Sequence, residues 1–104
     1  MTKRSEVLMA ADKLISRGKE KEYGTPRSSM QCFANLCNQF LVGKYPYGEF
    51  NLTAADAAML LAILKVSRIA TSPQFSSDNF IDAVGYIAIA SELTANVEES
   101  VDVV

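Results

Sequence analysis

Four charged side chains and one tyrosine in the C-terminal half of the chain have types and spacings that suit ligand binding. Lys65 and Arg68 are three residues apart, and Asp78, Asp82 and Tyr86 follow at intervals of four. On helices, these spacings put the two cations on neighbouring surface positions and the other three side chains on one ridge. Arginine binds oxyanions through two parallel hydrogen bonds, and lysine binds them as a point charge. We therefore predict that these side chains line a site for a small phosphorylated ligand.

The same charges also have structural explanations, which the sequence leaves open. A cation on an apolar helix needs an anion or water, because its desolvation is costly. Lys65 and Arg68 can pair with Asp78 or Asp82 on the following antiparallel helix, or extend to solvent at the C-terminal end of their own helix. Asp78 also suits the first turn of a helix, where the helix dipole favours an acid.

Three carboxylates give the chain a second candidate chemistry. Asp78 and Asp82, four residues apart on one helix face, can hold Mg²⁺, and Asp56 on the preceding helix is a third candidate ligand. Asp56 also follows Thr53 by three residues, which is the spacing of a helix capping box. The sequence therefore predicts either a magnesium site or helix-terminal roles for two of these acids.

Two loops before these helices add candidate contacts. Tyr23 and Gly24, followed by Arg27, form a segment that can approach a ligand, although an ordinary connection between helices explains it as well. The second, which we call the aromatic loop, covers residues 45–50. Its three rings surround a proline and a glycine: Tyr45, Tyr47 and Phe50. These rings can cover a site, contribute to an oligomer interface or fold back onto the domain.

The composition excludes several classes of function. The chain contains no histidine, which removes serine-type and cysteine-type triads, histidine general bases and the common zinc sites. A formal net charge of −2 provides no broad basic surface for duplex DNA or RNA. Cys32 and Cys37 suit neither a disulfide framework nor a zinc pair. The absence of a secretory signal and of an apolar run of about eighteen residues predicts no membrane association and a cytoplasmic location.

Apolar periodicity predicts four helices. They cover residues 5–16, 29–42, 54–70 and 77–93. The third is almost entirely apolar up to Leu64, so we expect protein to surround nearly all of it, with a second copy of the chain covering the remainder. The prediction is one all-α domain over residues 1–104, with its core at about 5–94 and an acidic, frayed or partner-bound tail at 95–104. Its fold class is a compact four-helix bundle completed by oligomerisation.

The order of these features resembles an uncharacterised family of small helical proteins common in phages and prophages. The resemblance runs from Tyr23-Gly24 through an uncharged helix starting near Met30 to two patterned helices, Asp56...Lys65-x-x-Arg68 and Asp78-Asn79-x-x-Asp82-x-x-Gly85-Tyr86. That family is similar, more distantly, to the MazG-type all-α nucleotide pyrophosphohydrolases. These are magnesium-dependent enzymes that cleave nucleoside triphosphates to monophosphates, usually as dimers or tetramers. The resemblance implies a MazG-like fold.

The chain departs from the MazG-type pattern at the metal ligands. Those enzymes carry a Glu-Glu-x-x-Glu cluster on one helix and a Glu-x-x-Asp pair on another. Here the helix at 30–42 has no acid, and only Asp56, Asp78 and Asp82 remain on the later helices. Phosphoryl transfer depends on metal-held charge and an oriented water. The comparison therefore predicts that the fold is kept without the hydrolase activity.

These observations predict a phage-type, oligomeric protein that binds a nucleotide or nucleotide-derived phosphorylated small molecule without turnover. One role that fits such binding is the sequestration, in the host cytoplasm, of a nucleotide signal used in bacterial antiviral defence. The candidate ligand contacts are Lys65, Arg68, Asp82, Tyr86, Tyr23 and Arg27. One alternative is a divergent Mg²⁺-dependent nucleoside triphosphate pyrophosphohydrolase that uses Asp56, Asp78 and Asp82. Another is an interaction module that inhibits a host protein through the aromatic loop and the acidic tail.

Overall fold

The computed structural model describes residues 3–16 and 25–102, and over these ranges the chain forms four helices. We number them α1 (Arg4–Ile15), α2 (Pro26–Lys44), α3 (Ala54–Thr71) and α4 (Ser77–Asp102). The described residues contain no strand. The predicted all-α four-helix bundle is therefore confirmed. Within the described ranges, no helix combines the length and the hydropathy that crossing a membrane requires.

Local capping groups set the start of two helices. The Thr53 hydroxyl accepts a hydrogen bond from the Asp56 backbone N–H at 3.1 Å, and the Asp56 carboxylate accepts one from the Thr53 N–H at 2.9 Å. This is the predicted capping box. The Thr25 hydroxyl caps α2 in the same way by accepting from the Ser28 N–H at 3.1 Å, with Pro26 in the first turn. Because of this cap, α2 begins before the predicted residue 29.

The last helix extends past its predicted end. We expected a tail after residue 94, but α4 continues to Asp102. Residues 94–102 contain no glycine or proline and include alanine and two glutamates, which are good helix formers. Charge and loss of apolar periodicity therefore do not end this helix, because nothing in the segment opposes the helical backbone.

The helices contact one another in the order α2, α3, α4, α1. α3 and α4, joined by the short turn at 72–76, form the most extensive pair, with α2 on α3 and α1 on α4. α1 approaches α4 closely at Gly85, where an added Cβ would lie 3.2 Å from Ile15 Cγ2. Gly85 thus allows close helix packing, which is the usual reason for a glycine inside a helix. The α3–α4 hairpin is the centre of the molecule.

The buried core is built mainly from alanine. Ala57 and Ala58 on α3 are completely buried, and Ala83 and Ala90 on α4 are nearly so. Among the described residues, Leu93 is the one large side chain in this core. Small side chains allow two helix backbones to approach each other closely, but they remove little apolar area from water.

Large apolar side chains of α3 lie at the surface rather than in this core. Five of them are 41–57% exposed: Met59, Leu60, Ile63, Leu64 and Val66. The expectation that protein surrounds nearly all of α3 is therefore wrong for the single chain. The reason is that α2 and α4 cover the alanine-rich side of the helix and leave its opposite side in solvent.

Candidate functional site

Lys65 and Asp82 form an ion pair between α3 and α4. The Lys65 Nζ lies 3.0 Å from Asp82 Oδ2, and the two side chains are only 16% and 28% exposed. This is the internal salt bridge that the sequence left open as one role of Lys65. An ammonium group has three donors. A single bond to Asp82 therefore leaves the lysine able to contact a second anion.

Two further charges lie one helical turn from this ion pair, toward the turn that joins α3 to α4. Arg68 on α3 and Asp78 on α4 are both exposed, and neither forms an ion pair with another described residue. We call Lys65, Arg68, Asp78 and Asp82 the polar cluster. Tyr86 follows Asp82 by one turn on the same ridge of α4 and is half-buried. The hairpin thus brings four of the predicted ligand contacts into one region: Lys65, Arg68, Asp82 and Tyr86.

The three predicted metal ligands do not form one group. Asp56 lies at the start of α3, about 14 Å along the helix axis from Lys65, and its carboxylate bonds to the Thr53 N–H. Asp82 is engaged by Lys65. The described part of the chain contains no group of three or more acidic, cysteine or histidine side chains that could hold a metal. These residues therefore do not fit the predicted Mg²⁺ site.

Of the predicted contacts around the start of α2, Arg27 does not lie at the polar cluster. Tyr23 and Gly24 fall outside the described residues. Arg27 lines an open cleft of about 270 Å³ between the start of α2 and the C-terminal half of α4. The other lining residues are Thr25, Pro26, Ile89, Glu92, Leu93 and Asn96. Since Glu92 lies roughly 15 Å along α4 from Asp82, the cleft at Arg27 is separate from the polar cluster.

The aromatic loop presents one ring to solvent and packs the other two together. Tyr47 is fully exposed, while the Tyr45 and Phe50 rings have centroids 6.3 Å apart. The Gly48 N–H donates to the Tyr45 carbonyl at 3.0 Å. A Cβ at Gly48 would lie 2.6 Å from the Phe50 ring, so a larger residue there would displace Phe50. The conformation of this loop therefore requires glycine at position 48.

Asn38 is a positioning residue that the sequence analysis missed. Its Nδ2 donates to the Leu52 carbonyl at 3.1 Å, and its Oδ1 accepts from the Leu52 N–H at 2.9 Å. These bonds tie the segment between the aromatic loop and α3 to the middle of α2. The sequence does contain an indication of this role, because an amide on the apolar side of a helix needs hydrogen-bond partners.

Comparison with known proteins identifies a family. Residues 6–94 match the family described as "Domain of unknown function (DUF6378)". This range includes most of every helix and all four members of the polar cluster. No match was found among curated proteins or among solved structures.

Proposed function

The chain belongs to the DUF6378 family, whose description assigns no function, and we propose from its own residues that it binds a nucleotide or nucleotide-derived phosphorylated small molecule without turnover. Arg68 is the main support for this proposal. Its guanidinium is exposed, has no carboxylate partner among the described residues and lies one turn from a partly buried lysine. Its planar fork suits two oxygens of one phosphate. Lys65, fixed by Asp82, supplies a second donor at a set position.

The charge balance of the polar cluster limits the type of anion. Asp82 neutralises Lys65, and Asp78 lies at the same end of the hairpin as Arg68. A free inorganic anion therefore gains little net attraction from the cluster as a whole. A ligand with an apolar or aromatic part gains additional contact area, and Tyr86 on the next turn of α4 offers a ring for stacking. This favours a nucleotide over phosphate alone.

Binding without turnover accords with the carboxylates. One is used in the α3 cap and another in the ion pair with Lys65. A protein that binds a nucleotide signal and returns it intact acts by sequestration. We propose a phage origin on the resemblance to small phage proteins and, more distantly, to MazG-type enzymes. Sequestration of a nucleotide signal would then counter a host antiviral defence that uses it. Such a protein would act in the host cytoplasm as a homo-oligomer.

The test is binding of linear and cyclic nucleotides by calorimetry and thermal shift. We expect one nucleotide class to raise the melting temperature by mass action. Arg68→Ala should weaken its binding about tenfold or more, the effect of losing one charge-assisted contact. Arg68→Lys keeps the charge and removes the fork, so it should recover only part of that loss. Arg27→Ala, at the separate cleft beside α4, is the matched control and should leave affinity unchanged.

Two results would count against this proposal. If the wild type and a folded Arg68→Ala variant bind the nucleotide with equal affinity, Arg68 is not part of a binding site and the proposed site is excluded. Release of monophosphate or pyrophosphate after incubation with Mg²⁺, abolished by Asp82→Asn, supports the pyrophosphohydrolase alternative instead. Recovery of the bound nucleotide intact after heat denaturation supports sequestration.

A second candidate function, inhibition of a host protein, rests on the aromatic loop. Tyr47 is fully exposed at the tip of a loop anchored through Asn38. Tyrosine is enriched at binding hot spots, where truncation to alanine often costs about 2 kcal/mol or more. Tyr47→Ala should therefore abolish capture of a specific partner from host lysate, with Arg68→Ala retaining it. Capture of the same partner by Tyr47→Ala at wild-type yield would exclude this loop as the binding element.

A further inference from the structure

We propose that a second copy of this chain covers the apolar face of the α3–α4 hairpin. We define this face by Met59, Ile63 and Val66 on α3 and Phe80 and Ile87 on α4. All five side chains are 41–57% exposed in the single chain. The proposal concerns a surface distinct from the polar cluster and does not depend on the proposed ligand.

The spacing of these residues is that of a helix-packing seam. On α3 the steps from Met59 to Ile63 to Val66 are four and then three residues, and on α4 Phe80, Val84 and Ile87 repeat the same steps. Alternating steps of three and four place side chains along one stripe of a helix, as in coiled coils and four-helix bundles. Each helix of the hairpin therefore carries its own seam, separate from the alanines that join α3 to α4.

Both seams lie on the same side of the hairpin. Met59 and Ile87 line one shallow groove of about 370 Å³ between α3 and α4. The rest of this groove is formed by small side chains: Ala90, Ser91, Thr94 and Ala95. Large side chains beside a groove lined by small ones give a surface of knobs and holes. An apolar helix of a partner can pack into such a surface.

The charge pattern favours a second copy as the partner. Between residues 59 and 66 and between 80 and 87, the only charged side chains are Lys65 and Asp82, and they neutralise each other. In a twofold dimer the same patch occurs on both subunits, so a patch of one sign would repel itself. This face has no such repulsion. Two hairpins joined through it would make a four-helix arrangement with the large side chains inside.

The chain exposes more surface than a compact monomer of its size is expected to expose. The chain exposes 7935 Å², compared with about 5,700 Å² for a folded monomer of 11.3 kDa by size scaling. A standard protein interface covers about 800 Å² per partner. The uncovered α3–α4 face, with five large side chains 41–57% exposed, contributes to the excess of roughly 2,200 Å². The single chain therefore has apolar surface that a second copy can bury.

Neither the α1 contact at Gly85 nor Arg68 of the polar cluster lies on this face. α1 meets α4 at Gly85, which is about 160° around the helix from Ile87. Arg68 is about 180° around α3 from Met59. A dimer formed through the face would leave the Arg68 guanidinium open to ligand.

The test is the mass of the full chain in solution by light scattering and sedimentation. We expect a dimer for the wild type, and a rise in Kd of about a hundredfold or more for Ile63→Glu and for Ile87→Glu, because each places a charge in an apolar interface twice per dimer. Leu36→Glu is the matched control, since Leu36 is an equally apolar, exposed residue on α2, and it should remain dimeric. Circular dichroism should be unchanged in all three, because these side chains are exposed in the monomer.

A cross-linking measurement tests the same surface without relying on charge. In a background with Cys32→Ser and Cys37→Ser, Ile63→Cys should form a disulfide-linked dimer on mild oxidation, and Leu36→Cys should not. A wild type that is monomeric at 100 µM would overturn the proposal, as would a dimer disrupted by Leu36→Glu but not by Ile63→Glu. A monomer whose apolar face binds detergent micelles or another protein instead would also overturn it.

Discussion

Replacing Ala58 with leucine is expected to lower the free energy of unfolding by about 2–4 kcal/mol. Ala58 is completely buried in the core of the α3–α4 hairpin. The core leaves no room for three additional carbon atoms unless α3 and α4 separate. Separation would also disturb the Lys65–Asp82 pair, whose atoms are 3.0 Å apart across the same two helices. With roughly 4–8 °C lost per kcal/mol in a domain of this size, the melting temperature should fall by about 8–32 °C.

Ala88→Leu on α4 is the matched control, because it adds the same atoms at an exposed position. It should change stability by no more than about 0.5 kcal/mol. Both variants should be measured by urea denaturation at the same protomer concentration, since self-association would add to the apparent stability. A loss below about 1 kcal/mol for Ala58→Leu would mean that the two helices are not held at close distance.

The elements that could be predicted from sequence are those fixed by neighbouring residues. The capping box of Thr53 and Asp56 depends on groups three residues apart, so the start of α3 follows from local chemistry. The α3–α4 hairpin follows from two apolar helices joined by a short, proline-containing turn. The pairing of Lys65 with Asp82 was among the predicted roles because the hairpin brings the two helices side by side.

The features that could not be predicted depend on which helix, of this chain or of a second copy, covers each apolar surface. Leu36 and Phe40 are among the apolar residues of α2, but both side chains remain exposed in the single chain, where α2 packs mainly on α3. Likewise, the periodicity of α3 places Ile63 on an apolar face, but it does not indicate whether this chain or a second copy buries that face. The separation of Arg27 from Lys65 depends on how α2 crosses the hairpin. No local sequence pattern determines the angle or position of that crossing.

A double-mutant cycle on Lys65 and Asp82 is expected to give a coupling energy of about 1–2 kcal/mol. Both side chains are less than one third exposed, so the pair lies between a solvent-screened surface pair and a fully buried one. Lys65→Met and Asp82→Leu should each destabilise the chain, because each leaves one charge partly desolvated and unpaired. The double variant should be more stable than the two single losses predict, since neither charge remains. Urea denaturation of the four proteins measures the coupling.

The neighbouring residues Arg68 and Asp78 provide the control cycle, because they lie one turn away, are exposed and do not pair. Their coupling should be below about 0.3 kcal/mol at moderate ionic strength. The Lys65–Asp82 coupling should persist at 1 M salt, because salt screens partly buried charges less than exposed ones. A coupling near zero for Lys65 and Asp82 would mean that water already screens the pair. The lysine would then not be held in place for a ligand phosphate, and Arg68 would be the main phosphate contact of the proposed site.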